Sequence, residues 1–330
     1  MESADDIALA DKMNAARGQI IAELKKLIIG QDETVNLILL SLFVGGNSLI
    51  VGVPGLAKTL LIRTLAQVLD LKFNRIQFTP DLMPSDITGT DIIQEDAATG
   101  RRQMAFAPGP IFANIVLADE INRTPPKTQA ALLEAMQEHR VTIQGRTYNL
   151  QEPFFVFATQ NPIELEGTYP LPEAQLDRFL MQVDIHYPDF EAERQIILRT
   201  TGADQPFARQ ALTSDDLLAA QKLVRQVPVG ESVVNAILKL VRSGRPETTD
   251  IQEVKDRVAW GPGPRASQAL MQASRARALR QGLLAPSVDD VIALAKPVLQ
   301  HRMALNFSAR ADGHTVVDLI SLLCKRIDAG

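Results

Sequence analysis

The residues 52–59, Gly52-Val53-Pro54-Gly55-Leu56-Ala57-Lys58-Thr59, follow a short apolar run, Ser48–Val51, and lead into helical apolar spacing over Lys58–Leu69. A strand, a glycine-rich bend and a helix start form the context of a phosphate-cradling loop. Gly52 and Gly55 permit dihedrals and close phosphate approach that a side chain would obstruct. Successive N–H groups at the helix start then face an anion. Lys58 supplies a point charge to β- and γ-phosphates, and the Thr59 hydroxyl can ligate Mg²⁺. The predicted nucleotide contacts here are Gly52, Val53, Pro54, Gly55, Leu56, Ala57, Lys58, Thr59 and Leu60. Ala57 stands where the motif has glycine, and a methyl group is the smallest intrusion available.

A second cluster lies downstream. Asn114-Ile115-Val116-Leu117-Ala118 is an apolar strand pattern ending in two carboxylates, Asp119 and Glu120. Ligands of parallel sheets bind at the carboxyl ends of strands, where the glycine-rich loop also lies. Asp119 is placed to hold Mg²⁺ and Glu120 to polarise an attacking water. Asn161, after the strand pattern Phe154–Thr159, is placed to orient that water. The chemistry these residues imply is ATP hydrolysis with Mg²⁺. Guanine recognition is disfavoured, because no Asn-Lys-x-Asp element follows any strand.

Positioning these groups requires a sheet. Five segments rich in β-branched and aromatic residues read as buried strands: Ser48–Val51, Phe73–Phe78, Asn114–Ala118, Phe154–Thr159 and Leu180–Ile185. Helical patterns lie between them, most clearly Lys58–Leu69 and Pro126–Glu138, which implies an α/β fold with a parallel sheet covered on both faces. After Tyr187-Pro188 helical spacing dominates, over Glu191–Thr200, Ser214–Gln226, Val233–Ser243, Arg265–Gln281 and Ser287–Leu299. The expected division is an α/β unit over 1–203 and an all-α unit over 204–330, with Ala203–Leu212 as linker. Two stretches fit the alternation poorly. Asp86–Phe106 carries Thr/Gly/Asp turn chemistry, and Val141–Leu150 reads as a hairpin around Gln144-Gly145-Arg146.

The 330 residues allow two domains, and 46% apolar with 22% charged residues is an ordinary globular balance. A net charge of −5, from 34 Lys+Arg against 39 Asp+Glu, lacks the basic excess of a protein held to nucleic acid. One cysteine, Cys324, leaves no intramolecular disulfide framework. The apolar stretch Leu37–Val44 is too short to span a bilayer, and the N-terminus, acidic at Glu2, Asp5 and Asp6, does not read as a secretory signal. A cytoplasmic protein without a membrane span is expected. His139, His186, His301 and His314 are scattered, without the spacing of a zinc site.

Taken together, these strings resemble the MoxR family of AAA+ ATPases. The resemblance is carried by residues 52–59, Gly109-Pro-Ile-Phe-Ala-Asn114, Asp119-Glu-Ile-Asn-Arg123, the 127–138 segment, Ala158-Thr-Gln-Asn-Pro162, the 171–179 segment and Gly263-Pro-Arg265. It covers most of the chain, and within it Ala57 is usual. It implies an adenine-side role for Gly30 and Gln31, a sensor role for Asn161 and for Arg265, and an arginine-finger role for Arg178. Arg178 would act in trans, across a subunit boundary, with Arg123 as its rival. Gly261-Pro-Gly-Pro264 precedes Arg265 where Gly-Ala-Ser-Pro is more usual. Asp86–Phe106 is similar to the family's helix-2 insert and Val141–Leu150 to its pre-sensor hairpin.

The resemblance further implies a homo-oligomeric ring, usually hexameric, that remodels a protein client, with a von Willebrand A domain partner and metal insertion as family themes. A nucleic-acid motor and a chelatase-type motor subunit of the same superfamily remain the alternatives. So does a nucleotide-gated module that binds ATP with little turnover, against which Glu120 speaks.

Overall fold

The computed structural model describes residues 15–95, 102–163, 167–202 and 207–328. The acidic N-terminus, the 96–101 part of the Asp86–Phe106 insert and the start of the Ala203–Leu212 linker lie outside the described residues.

Helix α1 (15–24) and helix α2 (Asp32–Val44) precede the first strand, β1 (Ser48–Val51). Helix α3 (Lys58–Val68), β2 (Phe73–Gln77), the short α4 (Pro84–Thr88), β3 (Gly89–Glu95), β4 (Arg102–Pro108) and β5 (Ile115–Asp119) follow. Next come α5 (Pro126–Glu138), β6 (Arg140–Ile143), β7 (Arg146–Asn149), β8 (Phe155–Gln160), α6 (Glu173–Leu176) and β9 (Met181–Asp184). The main sheet has the order β2-β5-β8-β1-β9, and its four pairings are all parallel.

Why the strands read as almost unbroken apolar runs is visible in β5. All five of its residues are buried, and successive side chains point to opposite faces. Ile115 and Leu117 join one core with α2, α3 and the C-terminal helices, while Val116 and Ala118 join another against α5. A strand covered on both faces has no polar side to display.

Nine of the 13 residues of α2 are buried, which removes the amphipathic alternation that would mark a surface helix. The stretch Leu37–Val44 is the second half of this helix, and it ends at Gly45, whose φ of 80° is the left-handed cap that glycine adopts without strain.

Both poorly alternating stretches are hairpins at their centres. β3 and β4 pair antiparallel from Gly89 opposite Pro108 to Glu95 opposite Arg102. β6 and β7 are joined by Gln144 (φ 48°) and Gly145 (φ 81°), a two-residue turn with positive φ at both positions that matches strand twist. The hairpins are stitched together by Phe106 stacked on Tyr148, ring centroids 4.3 Å apart, with Phe112 edge-on to both.

The C-terminal region is helical: α7 (Phe190–Thr200), α8 (Ser214–Gln226), α9 (Glu231–Ser243), α10 (Gln252–Arg257), α11 (Pro264–Arg280), α12 (Val288–Leu299), α13 (Phe307–Ala311) and α14 (Val316–Asp328). Caps punctuate it where Ser, Thr, Asp or Asn precede a helix, as at Asp189, Thr213, Ser287 and Asn306, each accepting from an N–H of the first turn. One feature the sequence pattern did not mark is a small antiparallel ribbon of β10 (Val258–Trp260) with β11 (Ala304–Leu305).

Candidate nucleotide site

The glycine-rich bend connects the carboxyl end of β1 to the first turn of α3. A Cβ on Gly52 would lie 2.9 Å from the Ile185 carbonyl oxygen, so any side chain there would push β1 from the exit of β9. Gly55 has φ +85° and open space around it, which lets a ligand approach the backbone closely. The Lys58 ammonium donates to the Gly52 carbonyl and so folds back over the bend. This concave run of backbone at a helix N-terminus, with a cation across it, fits a polyphosphate.

Ala57 takes φ 57°, ψ 23°, the left-handed region, at the N-cap of α3. An L side chain there is strained, and alanine is a poor cap. An Ala57→Gly chain is therefore expected to gain about 1 kcal/mol. A urea titration would show a higher midpoint at unchanged slope, and an unmoved midpoint would mean the bend carries no strain.

Gln31 is physically joined to the bend, its side-chain amide donating to the Leu56 carbonyl at 3.0 Å. Gly30 (φ +72°) sits against α7, where an added Cβ would come within 2.5 Å of the Ala192 Cβ. Beside the bend, Val51, Gly52, Val53, Pro162, Asp184, Ile185, His186 and Tyr187 line a cleft of about 450 Å³. His186 and Tyr187 had no assigned role in the sequence. The signal that could have found them is their position just beyond the carboxyl end of β9, where parallel sheets hold ligands.

The acidic pair is held by a polar network that crosses three strands. Thr159 on β8 donates to Asp119 Oδ1 at 2.6 Å and accepts from the Glu120 N–H at 2.9 Å. Arg75 on β2 donates to Asp119 Oδ2 from Nε (3.0 Å) and Nη2 (2.6 Å). Gln77 and Arg123 both donate to Glu120 Oε2, at 2.8 and 2.9 Å. The Glu120 backbone itself is left-handed, φ 57° and ψ 49°. A non-glycine residue held there is costly and persists where its surroundings over-determine it. Arg75, Gln77 and Thr159 were not picked out in the sequence, because their significance comes from strand register. Gln77 pairs with Asp119 and Arg75 lies two residues back on the same face.

Asn161 follows β8 directly, is buried, and accepts from the Ile163 N–H at 3.2 Å. The sheet order places β1 next to β8 and β8 next to β5, so bend, Asn161 and acidic pair share one edge. Thr59 lies in the first turn of α3, within the same group. Among the described residues no cluster of three or more His, Cys, Asp or Glu forms a metal cage. The donors present, one hydroxyl and one carboxylate, suit a Mg²⁺ shared with phosphate oxygens.

Arg178 and Arg265 are elsewhere. Arg178 precedes β9, at the amino ends of the strands, and donates from Nη1 to the Leu133 carbonyl at 2.9 Å. Arg265, in the first turn of α11, lies 3.9 Å from Asp177. Both line a cavity of about 510 Å³ whose wall includes Gly45, Gly46 and Asn47, the residues leading into β1. The bend leaves β1 at its other end.

A three-layer parallel sheet with a glycine-rich bend beside an acidic strand end, followed by a helical region, defines an ATPase module. Residues 47–181 match the model of the ATPase family associated with various cellular activities (AAA), and 252–322 match the AAA lid domain. Chaperone MoxR1 of Mycobacterium tuberculosis is 47% identical over 293 residues, 88% of this chain and 76% of that protein. Protein MoxR of Methylorubrum extorquens is 31% identical across 91% of this chain and 90% of that one. A solved structure of a candidate ATPase from Cytophaga hutchinsonii superposes with a TM-score of 0.89 at 38% identity, over 96% of each chain. The chain belongs to the MoxR family of AAA+ ATPases.

Proposed function

We propose that this chain is an ATP-hydrolysing remodeller that works as a homo-oligomeric, hexameric ring on a protein client. Its nucleotide unit spans 1–203 and its lid 204–330. Gly52–Leu60 cradle the triphosphate, with Gly30 and Gln31 on the adenine side. Lys58 neutralises β- and γ-phosphate charge. Mg²⁺, held by Thr59 and Asp119, would supply the remaining neutralisation of the transferring phosphoryl. Glu120 takes the proton of the attacking water, and Asn161 orients that water.

The observation that carries the ring is the placement of Arg178 and Arg265 in one cavity at the amino ends of the strands. Strand β1, about 13 Å of extended chain, separates the wall of that cavity at Gly45–Asn47 from the phosphate cradle. Both arginines are thereby suited to a neighbouring subunit's nucleotide, with Arg178 as the finger, Arg265 beside it, and Arg123 engaged with Glu120 of its own chain. The chaperone name of the Mycobacterium tuberculosis relative supports a protein client. Maturation of an enzyme complex, metal insertion and a von Willebrand A domain partner are consistent with the same reading. So is a cytoplasmic setting, and no described helix is long and apolar enough to cross a membrane.

Equilibrium binding of ATP and steady-state turnover test the core of this reading. Wild type is expected to retain ATP and hydrolyse it, and Lys58→Ala to lose both while keeping its fold. A folded wild-type chain that fails to bind ATP at millimolar concentration, or a Lys58→Ala chain with normal turnover, would overturn it.

A further inference from the structure

Arg302 is 2% exposed, the largest of the fully buried side chains among the described residues. A guanidinium has five N–H donors, and burying it is tolerable only when they are met. Here all five are. Nε donates to Asp177 Oδ1 at 2.8 Å. Nη1 donates to the carbonyls of Leu180 (3.0 Å) and Val298 (2.7 Å). Nη2 donates to the carbonyls of Asp177 (3.2 Å) and Phe179. Four of the five bonds therefore grip one four-residue stretch, Asp177–Leu180, and Arg178 lies inside it.

The neighbouring group strengthens that grip. His301 is fully buried, and burial holds its pKa well below the usual histidine value, so the ring is neutral. Its Nε2 donates to the Phe179 carbonyl at 3.2 Å, which leaves Nδ1 bare and without a partner among the described residues. Asp177 also faces Arg265 at 3.9 Å. The helical region thus reaches through one arginine to the backbone that carries Arg178, and through the same carboxylate to Arg265. Docking onto the sheet is served separately, by Gln300 donating to the Gln182 carbonyl (3.1 Å) and by Lys296 beside Asp184 (3.4 Å).

We propose that the Arg302–Asp177 pair is the positioning element for Arg178, setting the aim of the cation that this subunit offers its neighbour. The pair touches no nucleotide itself. Its bonds fix the backbone on both sides of Arg178, so a shift of the helical region moves that arginine with it. The inference rests on Arg178 acting in trans, and the test separates the two.

The experiment mixes chains pairwise, confirms co-assembly with two affinity tags, and measures ATP turnover. Arg178→Ala with Lys58→Ala comes first. Restored turnover keeps the trans reading, and none removes it, and this proposal with it. Arg302→Lys retains the charge but not the planar fork of donors. Alone it is expected to show turnover lowered about 10²-fold, the cost of roughly 1 Å of misplacement, at unchanged KM for ATP. Mixed with Lys58→Ala it should recover, and mixed with Arg178→Ala it should not, because both lack a well-aimed arginine. Gln300→Ala, which loosens docking only, should turn over ATP normally.

Recovery in the Arg302→Lys and Arg178→Ala mixture would overturn the proposal while leaving the trans reading intact. So would normal turnover of Arg302→Lys, or an equal loss in Gln300→Ala. If Arg302→Lys does not fold by circular dichroism, Asp177→Asn takes its place in every mixture, and full turnover of that chain overturns the proposal.

Discussion

An Arg178→Ala chain is expected to hydrolyse ATP about 10³–10⁵-fold more slowly than wild type while binding ATP equally well. The reason is where charge develops. As the phosphoryl group transfers, its equatorial oxygens need a cation aimed at them in the transition state, and ground-state binding does not change. Arg178 donates to the Leu133 carbonyl of its own chain, and its Nε is buried without a hydrogen-bond partner among the described residues. It stands at the amino ends of the strands, away from its own Lys58. On the proposed trans arrangement, a chain without Arg178 can receive a finger but cannot give one, and Lys58→Ala is the reverse. Mixing the two should restore turnover to a substantial fraction of wild type. No recovery at any ratio, with co-assembly shown, would mean that Arg178 serves its own subunit or none.

A Glu120→Gln chain should lose about 10²–10⁴ in kcat, the range for removing a general base, with little change in nucleotide affinity. Glutamine keeps the side-chain oxygen that accepts from Gln77 and Arg123, so the network around it can persist. What disappears is the basic carboxylate. Such a chain should hold ATP without consuming it, which also makes it the preparation in which a client would stay bound. Steady-state turnover alongside a fluorescent-nucleotide titration decides the point. Turnover within a few-fold of wild type would remove Glu120 from the chemistry, and equal losses in affinity and rate would make its role structural.

The acidic strand end and the glycine-rich bend were legible because each is a local device. A glycine-rich bend between strand and helix, and a carboxylate at a strand's end, need only a few consecutive residues to make chemical sense. The strands were legible for a related reason, since burial on both faces leaves β5 and β8 almost wholly apolar. Helix α2 was not, for the converse reason, because burial on most sides erased its periodicity.

The groups that tune the site were hidden, as they come from far along the chain. Arg75 meets Asp119 across 44 residues, and Thr159 meets it across 40. Arg302 reaches Asp177 across 125. Nothing in the spacing of those residues marks them as partners.

By itself, then, the order of amino acids determined an α/β nucleotide module, its glycine-rich bend, its acidic strand end and the hairpin at Val141–Leu150, because backbone conformation and burial pattern are written over short stretches. Only the folded chain decided that Arg178 and Arg265 share a cavity at the far end of the strands. The same holds for Arg75, Gln77 and Thr159, which help brace Asp119 and Glu120, and for the buried Arg302 that grips the Arg178 backbone. Those are matters of strand register and of one domain's surface meeting another's, and such contacts depend on every intervening residue at once.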